Sequence, residues 1–224
     1  MQQRHDPAGT PRRTRRGMLA AAAAAVVGLP QLALAARVLA PMTDGPFYPP
    51  APWRRGWSDW DADLTRVDGS GGPPVARGEH LGLELTVADE RGRAIDVAEV
   101  EIWQCDTLAH YRHPDVPRQP GRFDEGFQGF GAARSAANGS LRFRTIRPVP
   151  YPGRTPHIHV KVRHPAFGEL TSQLFVAGDP GNERDFLWRR LARADQEALA
   201  MRLAPAPAGS GLRWTARHAL IVPA

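Results

Sequence analysis

The stretch HLGLELTV, residues 80–87, carries an apolar side chain at every second position. Successive side chains of a β-strand point to opposite faces, so this alternation predicts a strand with one face in a core. The letters DERG at 89–92 follow as a turn, and a second alternating stretch runs from Val97 to Cys105. From residue 80 onwards the sequence therefore indicates strands joined by short turns.

More short strands are predicted further along the chain, at 157–163, 172–176 and 213–222. The pair Asn138–Gly139 separates two strand-like stretches and is a pair that tight hairpins prefer. Only residues 183–202 have the apolar pattern of a helix. Short strands with turn residues between them predict an all-β fold, a β-sandwich of mostly antiparallel strands with one short helix near the C-terminus.

The first 36 residues have the composition of an export signal. Five arginines precede an uncharged, alanine-rich run at 17–36 that ends in ALAA, small residues that suit a signal peptidase. The pair Arg15–Arg16 resembles a twin-arginine signal, which predicts a folded protein exported to the periplasm or secreted. A membrane anchor is the alternative because the run is about twenty residues long. Gly28 and Pro30 interrupt that run, so no stable membrane span is expected after cleavage.

Residues 37–75 form a segment that we call the arm. Its prolines and glycines break any period, yet it contains five large aromatic side chains: Phe47, Tyr48, Trp53, Trp57 and Trp60. That content is too apolar for a disordered tail. We therefore expect an irregular arm that lies across the core or a neighbouring subunit, as a packing element or a lid. Residues 76–224 are expected to form a single sandwich domain.

Charge and cysteine content exclude some functions. Of the formal net charge of +6, the first 36 residues supply +4, which leaves +2 for the rest of the chain. The basic residues are scattered rather than gathered on one face, so nucleic acid is not an expected partner. The single cysteine, Cys105, cannot form an intramolecular disulfide, so the fold must be held by packing.

The segment YPGRTPHIHV, residues 151–160, concentrates potential metal ligands. His157 and His159 are two apart on a predicted strand and therefore share one face. Pro152 and Gly153 predict a turn that can return the phenol of Tyr151 to the same place. Tyr111 lies on the loop that leaves another predicted strand, where functional residues are often found.

Other residues compete as ligands. They are carboxylates and imidazoles near the two tyrosines or on the next loop: Asp106, His110, His113, Asp115 and His164. A copper or zinc enzyme built on His157 and His159 with His110 or His113 is therefore an alternative.

Four linked motifs resemble the intradiol ring-cleavage dioxygenases, the family of protocatechuate 3,4-dioxygenase and catechol 1,2-dioxygenase. They are DGPFYPP, VEIWQCD with a following tyrosine, YPGRTPHIHVKV and SQLFVAGD, in the family's order between about residues 43 and 180. The small exported members are the most similar. The resemblance implies a β-sandwich with one mononuclear non-haem iron(III), and a reaction that inserts both atoms of O2 into a catechol-type diol. The ligands that it implies are Tyr111, Tyr151, His157 and His159.

The resemblance also implies roles around the metal. Tyr151 would take a proton from the diol, Arg154 would stabilise negative charge on the ring, and Gln173 would orient Arg154 or the substrate. Phenolate is a hard anionic donor, and two phenolates favour iron(III) over iron(II), which independently suits these residue types. Assembly as a homo-oligomer or a hetero-oligomer stays open. A non-catalytic, transthyretin-like binding module that lost its metal is a further alternative.

Overall fold

The computed structural model describes residues 36–57, 59–67, 75–116 and 122–224, and these form two β-sheets with little helix. The elements in chain order are α1 (Ala51–Arg55), β1 (His80–Asp89), β2 (Glu99–Trp103), β3 (Phe130–Arg134), β4 (Ser140–Ile146), β5 (His157–His164), β6 (Gly168–Val176), α2 (Arg193–Leu199), β7 (Ala200–Met201), β8 (Leu203–Pro205) and β9 (Trp214–Val222). Short 3-10 turns lie at Asn182–Arg184 and Trp188–Arg190.

The strands form a four-stranded sheet in the order β4-β1-β9-β8 and a five-stranded sheet in the order β3-β2-β5-β6-β7. Neighbouring strands are antiparallel except for β1 with β9 and β6 with β7, which are parallel. Two packed sheets with short helices confirm the predicted all-β sandwich of mostly antiparallel strands.

The core lies between the two sheets and follows the period of two in the sequence. In β1, Leu81, Leu83, Leu85 and Val87 are buried and alternate with less buried neighbours. They belong to one apolar cluster with residues of β2, β5 and β6 from the other sheet. Burying each such side chain contributes about 1.5–3 kcal/mol, so this alternation stabilises the sandwich.

The five-stranded sheet is buried on its outer face as well. All five residues of β2 except Glu99 are buried, and so are the first six of β5. The arm covers this outer face: its aromatic side chains pack against Trp103, Tyr111 and Phe130. The arm includes one short helix, α1, which begins with Pro52 in its first turn, a position where proline is well tolerated. The arm's aromatic residues thus pack on this same chain.

Two local predictions were wrong in detail. The helix expected over 183–202 is confined to α2. Before α2, the backbone of Asp185 is extended, and its carboxylate accepts hydrogen bonds from the N–H groups of Leu187 and Trp188. The turn at Asn138–Gly139 forms, with the Gly139 N–H donating to Ala136 O. It does not make a hairpin, because β3 and β4 join different sheets.

The predicted export signal lies at 1–36, almost wholly outside the described residues. Among the residues that are described, no helix is long and apolar enough to cross a membrane.

Candidate metal centre

Strand register builds the candidate site on the outer face of the five-stranded sheet. Trp103 of β2 pairs with Phe130 of β3 on one side and with His159 of β5 on the other, and His159 pairs in turn with Gln173 of β6. Residues that pair across neighbouring strands project from the same face. The row Phe130–Trp103–His159–Gln173 therefore lies side by side, and the Trp103 indole stacks on the His159 imidazole with 4.7 Å between the ring centroids.

His157 and His159 form a close imidazole pair. Their Nε2 atoms are 3.3 Å apart, and both side chains are buried. Nδ1 of His157 lies 2.6 Å from the carbonyl oxygen of Thr155, which requires Nδ1 to carry the proton and leaves a lone pair on Nε2. Burial and the nearby Arg154 charge lower the pKa of His157 to about 4, and burial lowers that of His159 well below its usual value. Both rings are neutral near pH 7, which is the form that binds metals.

A tight turn places Tyr151 beside Arg154. Pro152 fixes the first central position, Gly153 has a φ of +83°, and the Arg154 N–H donates to Tyr151 O at 2.9 Å. Proline followed by a residue with positive φ is the signature of a type II turn, for which glycine is the favoured residue. The predicted turn is confirmed, and it returns the Tyr151 ring to 5.6 Å from the His157 ring.

Tyr111 comes from the loop after β2. Asp106 shapes this loop by accepting hydrogen bonds from the N–H groups of Leu108 and His110 with one carboxylate oxygen and from Asp124 with the other. The Tyr111 hydroxyl is buried, and no described residue hydrogen-bonds to it. Burial raises the pKa of Tyr111 well above its usual value, so its phenolate requires a nearby cation to form.

The structure brings the four predicted ligands together. Ring centroids are 5.5 Å apart for Tyr111 and Tyr151, 6.1 Å for Tyr111 and His159, and 4.9 Å for His157 and His159. The arm covers this cluster: Phe47 stacks on Tyr111 at 4.7 Å. A Cβ atom on Gly45 would lie 3.3 Å from Cε1 of His159, so a glycine lets the arm backbone approach the ring closely.

The competing ligands lie elsewhere. Asp106 accepts hydrogen bonds from N–H groups of its own loop, such as that of His110. The His110 ring packs on Phe123, and His113 accepts a hydrogen bond from the Asp115 N–H. His164 packs on Phe167 at the far end of β5. Within the described ranges, no three side chains of His, Cys, Asp or Glu gather into a metal site. The alternative copper or zinc site on three histidines is therefore not formed.

The donor set fits a ferric ion. Two nitrogen atoms 3.3 Å apart can bind the same ion through bonds of about 2.1 Å. The rings of Tyr111 and Tyr151 contact those of His159 and His157, so their phenol oxygens are the candidate further donors. The buried Tyr111 hydroxyl has no described partner that competes for it. Two hard phenolates with two imidazoles are a donor set that suits iron(III). Copper and zinc prefer softer or more nitrogen-rich sets.

Arg154 and Gln173 also meet at this site. Arg154 donates from Nη2 to Gln173 Oε1 at 2.6 Å and from Nε to Asp185 Oδ2 at 2.7 Å. Of the two roles implied for Gln173, orienting Arg154 is the one for which a contact is present. Sequence reasoning missed Asp185, which lies on the loop after β6. The sequence offers one indication of its role: an aspartate can accept hydrogen bonds from the N–H groups of a following turn, as Asp185 does from Leu187.

A cavity of about 520 Å³ opens beside Arg154. Its walls come from the loops that carry the two tyrosines and from the loop after β6, and they include Thr107, Gly153, Arg154, Thr155 and Asp185. A cavity of this size can admit a small organic molecule beside Arg154.

Comparisons with known proteins agree with this geometry. The sequence model of the Dioxygenase family (Dioxygenase_C) matches residues 44–211. The chain is 32% identical over 150 residues to the protocatechuate 3,4-dioxygenase beta chain of Burkholderia cepacia, covering 63% of each chain. It is 34% identical over 123 residues to the hydroxyquinol 1,2-dioxygenase of Corynebacterium glutamicum, covering 47% of this chain and 38% of that one. The chain thus spans less than two thirds of the length of these curated relatives.

Among solved structures, the chain resembles the dioxygenase domain of a dioxygenase carbohydrate-binding protein fusion from Streptomyces sp. SirexAA-E. The two are 26% identical with a TM-score of 0.60, and the match covers 84% of this chain and 99% of that domain. The family match covers most of the chain and includes every residue of the imidazole–phenol cluster. The chain belongs to the intradiol ring-cleavage dioxygenase family.

Proposed function

We propose that this protein cleaves the ring of a catechol-type aromatic diol between its two hydroxylated carbons, using O2 and one ferric ion. The observation that carries the proposal is the pair of neutral imidazoles, with Nε2 atoms 3.3 Å apart, in ring contact with two phenols. Tyr111, Tyr151, His157 and His159 would hold the metal. Iron(III), when bound there, supplies a Lewis acid for the diol oxygens and a redox centre for the reaction with O2.

The two tyrosines are suited to different tasks. Tyr111 is buried beneath Phe47, so its phenolate would be a fixed ligand. Tyr151 is only half-buried and lies on the turn that also carries Arg154. We assign to its Oη the acceptance of one proton from the incoming diol, because a ligand on an accessible loop can separate from the metal at less cost than a buried one.

Arg154 would stabilise the negative charge that develops on the ring. Its side chain is almost fully buried, and a guanidinium in such surroundings interacts more strongly with a developing charge than one in water. Gln173 and Asp185 hold it in one orientation, so little reorganisation is needed during the reaction. Phe47 and Trp103 cover Tyr111 and His159 and exclude water from that side.

The proposal extends to location. The paired Arg15 and Arg16 support export of a folded, metal-loaded protein that acts on aromatic compounds outside the cytoplasm. Replacing both arginines with lysine should leave the protein in the cytoplasmic fraction. Normal export of that variant would contradict the twin-arginine route.

The direct test is O2 uptake by the iron-loaded protein with a panel of catechol, protocatechuate, hydroxyquinol and larger diols. Mass spectrometry of the products should find a muconate-type diacid that has gained both oxygen atoms. The loaded protein should be red-brown from tyrosinate-to-iron(III) charge transfer. Extradiol products, or a colourless protein that binds diols without consuming O2, would contradict the proposal, and the second result is the one that a binding module gives.

Arg154→Ala is the matched variant for this test. It should keep the iron and its colour while kcat falls about a hundredfold, the usual cost of losing one well-placed electrostatic donor. Full colour with unchanged turnover would remove Arg154 from the mechanism.

A further inference from the structure

The geometry points to Asp185 as a positioning residue that fixes Arg154 and, through Thr155, the metal-binding orientation of His157. This inference rests on the proposed function and deepens it. Asp185 lies outside the motifs that carry the family resemblance, on the loop after β6, and its side chain is fully buried.

Both oxygens of the Asp185 carboxylate are used. Oδ2 accepts from Arg154 Nε at 2.7 Å and from the Thr155 N–H at 3.0 Å. Oδ1 accepts from the N–H groups of Leu187 and Trp188 at 2.8 and 3.1 Å. The carboxylate therefore joins the loop after β6 to the turn that bears Arg154 through four hydrogen bonds.

The first consequence concerns the orientation of Arg154. Its guanidinium is held at Nε by Asp185 and at Nη2 by Gln173 Oε1, whereas Nη1 donates to no described residue. A guanidinium is planar, so fixing two of its nitrogens fixes the direction of the third. We infer that Asp185 and Gln173 together direct the remaining N–H groups of Arg154 towards the bound ring.

The second consequence concerns His157. The backbone of Thr155 donates its N–H to Asp185, and its carbonyl oxygen accepts from Nδ1 of His157 at 2.6 Å. Thr155 is held a second time, through a 2.8 Å hydrogen bond between its hydroxyl and Asn182 Oδ1. Partners of this kind set the tautomer and the angle of a ligating imidazole, and their loss typically costs 10- to 100-fold in metal affinity.

The charge of Asp185 has a role of its own. Burial alone would raise the pKa of Asp185, but the Thr155 N–H and the Arg154 guanidinium together lower it, so it is ionised near pH 7. It thereby compensates the charge of Arg154 next to the two imidazoles. Without it, a buried and unpaired guanidinium would rotate towards solvent or towards another acceptor.

The chain offers a matched control in Asp89. This carboxylate is also buried and also binds an arginine Nε, that of Arg93. It accepts two backbone N–H groups, from Arg91 and Arg93, where Asp185 accepts three. It lies at the end of β1 in the other sheet and touches none of the candidate site residues. Asp89→Asn thus removes a buried carboxylate from an arginine pair without touching the site, although Arg93 is more exposed than Arg154.

The test compares Asp185→Asn with Asp89→Asn in the full chain, alone and combined with Arg154→Ala. We expect Asp185→Asn to lower kcat/KM at saturating iron at least tenfold and to weaken ferric binding, titrated by visible absorbance, by 10- to 100-fold. Asp89→Asn should change neither quantity more than twofold. In the Arg154→Ala background, Asp185→Asn should lower kcat/KM less than threefold further, because residues that act through one another are not additive. Its effect on ferric affinity should persist there.

Equal effects of the two Asn variants, or an undiminished loss of kcat/KM in the Arg154→Ala background, would overturn the inference. If Asp185→Asn does not fold, Asp185→Glu replaces it, with Asp89→Glu as its control. The Glu variant keeps the charge but displaces the two groups anchored on Oδ2, so it should still reduce kcat/KM several-fold. A wild-type protein that binds ferric iron but consumes no O2 with any diol would refute the proposed function instead, while the ferric titration would still test the effect on His157.

Discussion

The two faces of the five-stranded sheet are equally buried and chemically opposite. On the inner face Val100, Ile102, Val160 and Val162 have no exposed surface, and on the outer face Glu101, Trp103, His159 and Lys161 are each less than 5% exposed. Apolar side chains need no partner in a core, whereas buried polar groups must be paired or must serve a ligand. The partners of a buried group, rather than its burial, therefore indicate a site.

The outer face itself divides into two parts by this criterion. Towards one end, the charged groups are fully paired: Glu101 accepts from Tyr48, Arg54 and Arg163, and Lys161 contacts Asp44 and Glu169. Towards the other end, the Tyr111 hydroxyl has no described partner, and the Nε2 atoms of His157 and His159 face each other at 3.3 Å. The paired part attaches the arm to the sheet, and the unpaired part is the candidate metal centre.

The largest effect is expected from removing an outer-face ligand. His159→Ala should abolish ferric binding and the red-brown colour, and activity should fall to the detection limit, because one of two imidazoles is lost. The fold should persist, because the apolar core between the sheets is untouched. His218→Ala, at a half-buried histidine of β9 in the other sheet, is the control and should keep its iron. Retention of colour by His159→Ala would refute the ligand assignment.

The next largest effect is expected from the inner face. Ile102→Ala should lower the free energy of unfolding by about 2–5 kcal/mol, since it removes buried methyl groups and leaves a cavity between the sheets. Chemical denaturation of the metal-free protein measures this loss. Below the unfolding transition, ferric affinity should match that of the wild type within threefold. A larger drop in affinity would mean that the two faces are not independent.

The sequence alone predicted which side chains lie on the inner face, but only some of those that meet on the outer face. Alternation in the predicted strand from Val97 to Cys105 is enough to assign its core side, because it depends only on the pleat. The spacing in His157–Ile158–His159 likewise puts both imidazoles on one face whatever the rest of the chain does. The Pro152–Gly153 turn predicted that Tyr151 could return to that face. The convergence of Tyr111 on it came from the resemblance to a family, since its loop has no period that fixes its direction.

The rest depended on contacts that are distant in sequence. Asp185 lies 31 residues from Arg154, and Lys161 lies 117 residues from its partner Asp44. No local pattern predicts which carboxylate meets which base at such separations. The expected helix over 183–202 was wrong for a partly local reason. Its propensity is helical, but Asp185 accepts hydrogen bonds from the N–H groups of the following turn, and Trp188 packs on Phe175 of β6.

The outer face should also make the stability of the protein depend on pH, which the apolar inner face cannot do. In the folded, metal-free protein burial lowers the pKa of His157 to about 4, whereas an unfolded histidine titrates near 6.5. The unfolded chain therefore binds the extra proton first, and stability should be highest above pH 6.5 and decline as the pH falls to about 4. The loss from His157 alone should be about 3 kcal/mol. Denaturation curves at several pH values measure it, and an equal slope in His157→Gln would contradict the assignment.

The smallest effect is expected from the attachment of the arm. Lys161, the only lysine of the chain, donates to Asp44 at 2.9 Å and to Glu169 at 3.0 Å, and its Nζ lies 3.9 Å from the centre of the Tyr48 ring. Lys161→Met should lower the free energy of unfolding by about 1–2 kcal/mol. The loss is below that of a fully buried pair, because both carboxylates are partly exposed and water can replace the ammonium.

The same substitution should reach the metal centre through the arm. Asp44 precedes Gly45 and Phe47, which contact His159 and Tyr111, so loosening Asp44 should make that cover more mobile and increase proteolysis between residues 44 and 57. The control is Arg217→Met, whose partner Glu84 lies on the exposed face of the other sheet and whose loss should cost at most about 1 kcal/mol. If Lys161→Met and Arg217→Met are equally stable and equally resistant to protease, the paired part of the outer face does not hold the arm. If only Lys161→Met exposes the arm, the paired half of this face supports the unpaired half.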